Sequence, residues 1–203
     1  MKSYSEIDTT VKRASKAIGF SWGDSEEIGK CIRLLEMLGI SGVRNLNSYF
    51  KVYNKQKFQN INLISKDNSS SIPYCPISAG LNFLNQISHM EELSEISISN
   101  IAYPVLLIPF ISRASYISGK KILLKIDGQN LLLNFNQSIY SNFSGKDVLE
   151  KSNSINIKFL ENVNLFSEDE WKELYKLSED TFVEESDELK EVAAGAGLTD
   201  NDW

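Results

Sequence analysis

The sequence predicts an α+β fold with helices at the N-terminus, a central, mostly antiparallel sheet, and a C-terminal helix followed by an ordered glycine-rich tail. Three observations predict it. Apolar residues recur at helical spacing in the first fifty residues, short alternating or continuous apolar runs fill the middle, and a capping motif opens a late helix. No internal repeat or linker is visible. We therefore expect one α+β domain over residues 1–203, whose acidic, glycine-rich tail (184–203) packs on the body or on a partner.

The N-terminal helices are indicated by capping residues and apolar spacing. Ser5 is expected to cap a helix that runs to about Ile18, and Asp24 is expected to cap the next one. A third helix is predicted at about 43–53 and a short fourth at 78–87. These segments form the predicted helical layer.

The central region is predicted to be β-structure. The predicted strands are 96–101, 103–112, 121–126, 129–135 and 155–160. Asp127-Gly128 between two apolar runs is a strong hairpin signal, because a type I′ turn requires positive φ at both central positions. The run 103–112 is nearly all apolar and is expected deep in the sheet, with a bend or edge at its two prolines.

A late helix is predicted from a motif that begins at Phe166. Ser167 and Glu170 have the spacing of a capping box, and Phe166 and Trp171 stand at the staple positions on either side. The helix is followed by the acidic tail.

Composition limits the class of protein. The chain has 203 residues, of which 42% are hydrophobic and 24% charged, as in soluble globular proteins. No basic stripe with interleaved aromatic residues is present, so a nucleic-acid partner is not expected. No apolar run approaches the roughly 18 residues of a membrane span, so no membrane association is expected either. With no signal-peptide pattern and no cysteine framework, the expected location is the cytoplasm.

The net charge of −6 is unevenly distributed. From Glu179 to the end there are nine acids and one base, whereas the rest of the chain has 18 acids and 20 bases. The excess negative charge therefore lies in the C-terminal segment.

Several common sites are excluded by the absence of their motifs. Gly119-Lys120 lacks the remainder of a phosphate-binding P-loop, and Gly195-Ala196-Gly197 is not a dinucleotide-binding fingerprint. One histidine cannot supply a histidine-rich zinc site. No cofactor is evident from the sequence, although a divalent metal is compatible with the acids near its end.

Three residues have nucleophilic or acid–base chemistry. His89 could act as a base oriented by Glu91 or Glu92, but a histidine at the surface end of a helix is the preferred interpretation. Cys31 is expected in the core. Cys75 lies in an irregular segment and is expected to be the more reachable thiol.

Four residues in the body of the chain are candidate ligand-binding residues. Arg113 follows a long apolar run and could clamp a carboxylate or phosphate, the alternative being a strand-end arginine in water. Trp22 and Tyr74 could wall the site, and Trp22 could equally pack on the first helix pair. Glu27 is the fourth candidate, with a surface acid near a helix N-terminus as the alternative.

The tail supplies the remaining candidates. Asp200 and Asp202 would point the same way in an extended chain, so they could hold a divalent metal or act as acid and base. Asn201 between them is a candidate ligand-binding residue. A frayed acidic terminus, or docking of the acids on the basic groove of a partner, is the alternative.

Several patches of the chain form a recognisable pattern, namely Ser5-Glu6-Ile7, Trp22-Gly23, Glu26-Glu27, Ile32-Arg33-Leu34-Leu35, Tyr74-Cys75-Pro76, Gly80, 106–110, 181–183 and 195–202. With this pattern the chain resembles an uncharacterised, mostly proteobacterial family, a domain of unknown function. Glu184 departs from it, where the family has proline, and Trp203 extends its end. The resemblance implies a fold and a tail that is bound to something, but no activity.

Two functions follow from these features. The first is a cytosolic small-molecule-binding protein or small enzyme that acts on an anionic, carboxylate-type metabolite, with the tail completing the site. The second is a non-catalytic accessory subunit whose tail docks on a partner protein or on its own oligomer. The sequence does not decide whether the chain is an enzyme.

Overall fold

The computed structural model of the chain describes residues 2–135 and 138–181. The chain divides into two units, Met1–Asn162 and Val163–Trp203. Across the described residues, no helix combines the length and apolarity needed to cross a bilayer. The predicted tail, residues 184–203, lies outside the described part and stays a prediction.

The described residues form seven α-helices and one 3₁₀ helix. They are α1 (Tyr4–Ile18), α2 (Trp22–Met37), α3 (Gly42–Tyr53), α4 (Pro76–Asn85), α5 (Ile87–Leu93), the 3₁₀ helix (Pro104–Leu107), α6 (Ile108–Ser118) and α7 (Glu168–Glu179). The strands of the described residues are β1 (Asp67–Asn68), β2 (Glu95–Ile98), β3 (Ile101–Ala102), β4 (Lys121–Ile126), β5 (Gln129–Leu133), β6 (Ile139–Ser141), β7 (Lys151–Ser152) and β8 (Ile155–Leu160).

Six strands form one mixed sheet in the order β1-β2-β8-β4-β5-β6, and β3 pairs with β7 in a second, small sheet. The β1–β2 pair is parallel and the other pairs are antiparallel. The α+β class and the mostly antiparallel sheet are thus confirmed.

Two helices begin earlier than predicted, because the capping residues differ. Ser3 caps α1 by accepting the Glu6 N–H at 3.1 Å, so Ser5 lies inside the first turn. Ser21 caps α2 by accepting the Asp24 N–H at 3.0 Å. Each serine has the extended backbone of an N-cap, which lets its hydroxyl reach the N–H three residues on.

The predicted strand 103–112 is wrong. Tyr103 adopts the left-handed conformation (φ 43°), and the chain then forms the 3₁₀ helix and the start of α6. Pro104 and Pro109 stand in the first turns of these helices, where proline is tolerated because those N–H groups have no intrahelical partner. A segment that is apolar on every side can be a buried helix as readily as a buried strand.

α6 is the centre of the larger unit. It packs against α2, α4, α5, β4 and β5. The sheet turns its apolar face to the core, where Ile122, Leu124, Leu131, Ile157 and Phe159 are buried. α6 therefore lies in the core shared by the sheet and the helices.

The opposite face of the sheet is more open. Leu123 and Leu132 are half-buried there, and three lysines, Lys121, Lys125 and Lys158, are exposed around them. Leu123 lies directly across from Leu132 on one side and Lys158 on the other. The alternation of buried and open positions along β4 accounts for this division into two faces.

The predicted hairpin is confirmed. β4 and β5 are joined by Asp127 (φ 45°) and Gly128 (φ 85°), the two positive values that a type I′ turn requires. The predicted strand 96–101 is divided into β2 and β3, because Asn100 also has positive φ and breaks the extended chain.

The second unit contains α7. Ser167 accepts the Glu170 N–H at 3.2 Å and its own N–H donates to the Glu170 carboxylate at 2.6 Å, which confirms the capping box. The Phe166 and Trp171 rings stack with centroids 5.5 Å apart, as expected for a hydrophobic staple.

Close packing between α4 and α6 generates a stability prediction. A Cβ added at Gly80 would lie 2.2 Å from Cδ2 of the buried Phe110 ring, so Gly80→Ala forces the ring to move. We expect a loss of about 1–3 kcal/mol in the free energy of unfolding, measured by urea denaturation. Gly23→Ala is the matched control, because its nearest neighbouring atom is 3.9 Å away. Equal stability of the two variants would contradict this packing.

Candidate functional site

Two of the predicted ligand-binding residues lie together. Glu27 on α2 forms a salt bridge with Arg113 on α6, and both side chains are about three-quarters shielded from water. Burial lowers the pKa of Arg113. An arginine in such a place requires an anionic partner, and Glu27 supplies one from a residue 86 positions away in the chain.

This pair belongs to a larger charge network. Lys30 lies 3.1 Å from the carboxylate oxygens of both Glu26 and Glu27, and Lys12 of α1 lies 3.2 Å from Glu26. The hydrogen bond from Lys30 is the main cause that lowers the pKa of Glu26, and the hydrogen bond from Lys12 is the second.

A second pair ties α1 to α2. Arg33 lies 3.1 Å from Asp8. Counted together, the two groups contain four cations and three carboxylates, and we call them the network. One positive charge is therefore in excess.

The absence of a side chain at Gly29 brings the two helices close enough for these pairs. A Cβ there would lie 2.6 Å from the Asp8 carboxylate and 2.9 Å from the Asp8 carbonyl oxygen. Only glycine permits this approach without movement of the α1 backbone.

Three of the four cations line a cleft of about 530 Å³, which we call the cationic cleft. Its lining consists of Tyr4, Ser5, Lys30, Arg33, Leu34, Met37 and Arg113. Every charged residue in this lining is a cation. Tyr4 and Ser5 are the first residues of α1, whose N-terminal dipole adds to the positive potential. The cleft can accept a small anion.

The other predicted ligand-binding residues lie elsewhere. Trp22 is exposed at the start of α2, with the Lys16 ammonium 5.6 Å from its ring centre. Tyr74 is buried in an extended segment between Gln59 and Ile101. Neither residue lines the cationic cleft. Asp200, Asn201 and Asp202 lie outside the described residues, and their roles stay predictions.

The expectation that Cys75 is reachable is wrong. Cys75 is 3% exposed and caps α4, where its Sγ accepts the Ser78 N–H at 3.3 Å. The Tyr49 hydroxyl lies 3.0 Å from the same sulfur. Burial raises the pKa of the Cys75 thiol. Cys31 is buried in the core, as predicted.

His89 has an ordinary environment. It lies on α5, its side chain is 45% exposed, and its Nδ1 is 3.7 Å from the Glu92 carboxylate. Its exposure fits the interpretation as a surface histidine, but it lies in the first turn of α5 and not at a helix C-terminus, so the dipole argument does not apply. Across the described residues, no group of three or more His, Cys, Asp or Glu side chains could hold a metal ion.

Sequence reasoning did not select Lys30 and Arg33 as site residues. They lie three positions apart on α2, so they are neighbours on one helix face, and that spacing was a usable signal. Tyr4 and Ser5 carried no comparable signal, because only the packing of α1 brings them to the cleft.

Residues 2–75 match the family described as protein of unknown function (DUF3726). This match confirms the resemblance to a domain of unknown function. It covers α1, α2 and α3, and with them the cationic cleft except Arg113. Comparison with curated proteins and with solved structures gives no match.

The burial of the two thiols generates a prediction. A thiol reagent such as iodoacetamide at pH 8 should label neither Cys31 nor Cys75 in the folded chain, because burial raises both pKa values and blocks access. Both should react in denaturant. Mass spectrometry of tryptic peptides measures the labelling. Rapid labelling of Cys75 in the folded chain would contradict its place in the core.

Proposed function

We propose that the chain is a cytoplasmic protein that binds, or acts on, a small anionic metabolite of the carboxylate type in the cationic cleft. The observation that supports this most is the lining, in which Lys30, Arg33 and Arg113 are the charged residues. In the proposal, Asp200, Asn201 and Asp202 complete the site, and the two aspartates hold a divalent metal or act as acid and base.

The chemistry of the cations favours a carboxylate ligand. Arg33 and Arg113 each carry a planar guanidinium that can donate two parallel hydrogen bonds to a carboxylate. The excess positive charge of the network is one unit, which a single carboxylate would neutralise. Glu27 competes with that carboxylate for Arg113, because it already contacts the guanidinium in the free chain.

Substitution of the two partners of this ion pair should have opposite effects on the affinity for an anion. Arg113→Gln should weaken binding of an anion about tenfold, the usual size of one lost charged hydrogen bond. Glu27→Gln should strengthen binding several-fold, because it removes the competing carboxylate. Isothermal titration calorimetry with lactate, succinate, citrate and phosphate at constant ionic strength measures both effects.

Arg13→Gln is the matched control, because Arg13 is exposed on α1 and does not line the cleft. Melting curves establish that each variant is folded. If no anion in the panel binds, or if both site variants weaken binding equally, the proposed role of the pair is wrong.

A second candidate function is the non-catalytic accessory subunit, whose tail docks on a partner protein or on its own oligomer. Two observations favour it. Lys121, Lys125 and Lys158 make one face of the sheet positive around Leu123, and nine of the ten charged residues from Glu179 to the end are acids. Asp67 and Glu95 lie on the same side of the sheet, and Glu95 lies directly across from Lys158, so the positive charge of this face is concentrated at Lys121 and Lys125.

A comparison of tail variants separates the two functions. In the first, Mg²⁺ or Mn²⁺ should raise the melting temperature of the full chain by a few degrees, since a ligand that binds only the folded state stabilises it. Asp200→Asn with Asp202→Asn, or truncation after Ala193, should abolish that rise. Glu184→Gln with Glu185→Gln is a control that removes the same charge from the tail.

Light scattering on the same samples tests the second function. If truncation lowers the mass and leaves the response to metal unchanged, the tail is an assembly element. That result would remove Asp200 and Asp202 from the proposed site.

A further inference from the structure

A second depression adjoins the cationic cleft. It has a volume of about 820 Å³ and shares Tyr4 with the cleft, and we call it the apolar groove. Its lining consists of Lys2, Ser3, Tyr4, Glu6, Ile7, Thr10, Val11, Glu36 and Val43. Because Tyr4 contributes to both linings, the two depressions meet at the N-terminal turn of α1.

The groove has an aliphatic floor. Tyr4, Ile7 and Val11 stand at helical spacing on α1, and Val43 of α3 lines the same groove. Val11 is buried, and Ile7 and Val43 are partly buried against the core. The floor is therefore part of the core that reaches the surface between α1 and α3.

The charged groups of the groove are engaged within the chain. Lys2 forms an ion pair with Glu6, and the Glu36 carboxylate accepts the Val43 N–H at 2.9 Å. Neither contact adds net positive charge to the groove. An uncharged aliphatic part of a ligand therefore suits this surface better than a second anionic group would.

The cationic cleft also has apolar lining residues. Leu34 and Met37 belong to the cationic cleft, and Met37 and Tyr4 are 55% and 49% exposed. A ligand that covered Met37 and Tyr4 would remove apolar surface from water, which is favourable in proportion to the area buried.

We propose that the ligand of the cationic cleft is an amphiphilic carboxylate, with its head at Lys30, Arg33 and Arg113 and its aliphatic chain passing Tyr4 into the apolar groove. The proposal rests on the proposed function and specifies its substrate class. The observation behind it is that Tyr4 belongs both to a lining whose charged residues are all cations and to the apolar groove.

Linear monocarboxylates of increasing length test this proposal directly. Acetate, butanoate, hexanoate, octanoate and decanoate, kept below micelle formation, are titrated into the full chain by calorimetry. The dissociation constant should fall about two- to four-fold for each added methylene, the range expected when a methylene is largely buried. Decyltrimethylammonium, which has the same chain and the opposite charge, should bind far more weakly.

Variants in the two depressions should have separable effects. Val43→Thr should flatten the dependence on chain length and leave acetate binding unchanged, since Val43 lines the groove and not the cleft. Tyr4→Ala should flatten it as well, and a change in acetate binding is also expected there because Tyr4 lines both depressions. Arg33→Gln should weaken binding of every member by a similar factor. Val43→Thr keeps the shape of the side chain and the hydrogen bond from the Val43 N–H to Glu36. It therefore tests the groove even if Tyr4→Ala disturbs the fold of α1.

The outcomes distinguish this inference from the proposed function. If carboxylates bind with an affinity independent of chain length, the amphiphile proposal is overturned and the anion site stands. If affinity depends on ligand length as strongly in Tyr4→Ala and Val43→Thr as in the unsubstituted protein, the aliphatic part of the ligand binds elsewhere and the proposal is also overturned. If no carboxylate of any length binds, both proposals fail.

Discussion

The burial of α6 is the constraint on which the rest of the larger unit depends. Its first residues, Ile108 to Ser112, are fully shielded from water, and the helix touches both the sheet and the helical layer. The Phe110 ring occupies the space that Gly80 leaves open in α4. Because the core fixes the helix in this way, it also fixes where Arg113, its one charged residue, meets α2.

A second constraint acts at the contact of α1 with α2. The missing side chain of Gly29 allows Asp8 to approach the α2 backbone, and the Asp8–Arg33 and Lys12–Glu26 pairs follow from that approach. The exposed ion pairs add little stability individually. Their effect is positional, since they set the orientation of the cations at the cleft.

The parts of the fold that were predictable from the sequence are those that local chemistry determines. The Asp127-Gly128 hairpin and the capping box of α7 depend on residues a few positions apart, and both are confirmed. The strand predicted at 103–112 is instead the 3₁₀ helix and the start of α6, because a segment that is apolar on all sides has no period that distinguishes helix from strand. Only tertiary packing decides between the two.

The same distinction applies to the site. Arg113 and Glu27 were selected separately, each from its own surroundings, and the sequence contains no signal that pairs residues 86 positions apart. The spacing of Lys30 and Arg33 indicates one shared helix face, but the residues that make a cleft of them come from α1 and α6. Cys75 was expected to be reachable because its neighbours are irregular, yet irregular backbone packs against Tyr49 as closely as a helix would.

The charge balance of the network limits which anions the cleft can bind well. Without ligand, Glu27 compensates the half-buried Arg113, which would otherwise carry an unpaired charge at considerable cost. Four cations and three carboxylates leave room for one further negative charge. A monocarboxylate supplies that charge and competes with Glu27 for Arg113 alone. A polyanion would bring more negative charge than the one excess positive charge of the network, unless Glu27 broke its contact with Arg113 and paired with Lys30 alone. One charged end, with the remainder of the molecule uncharged, is therefore the ligand that this electrostatic arrangement favours.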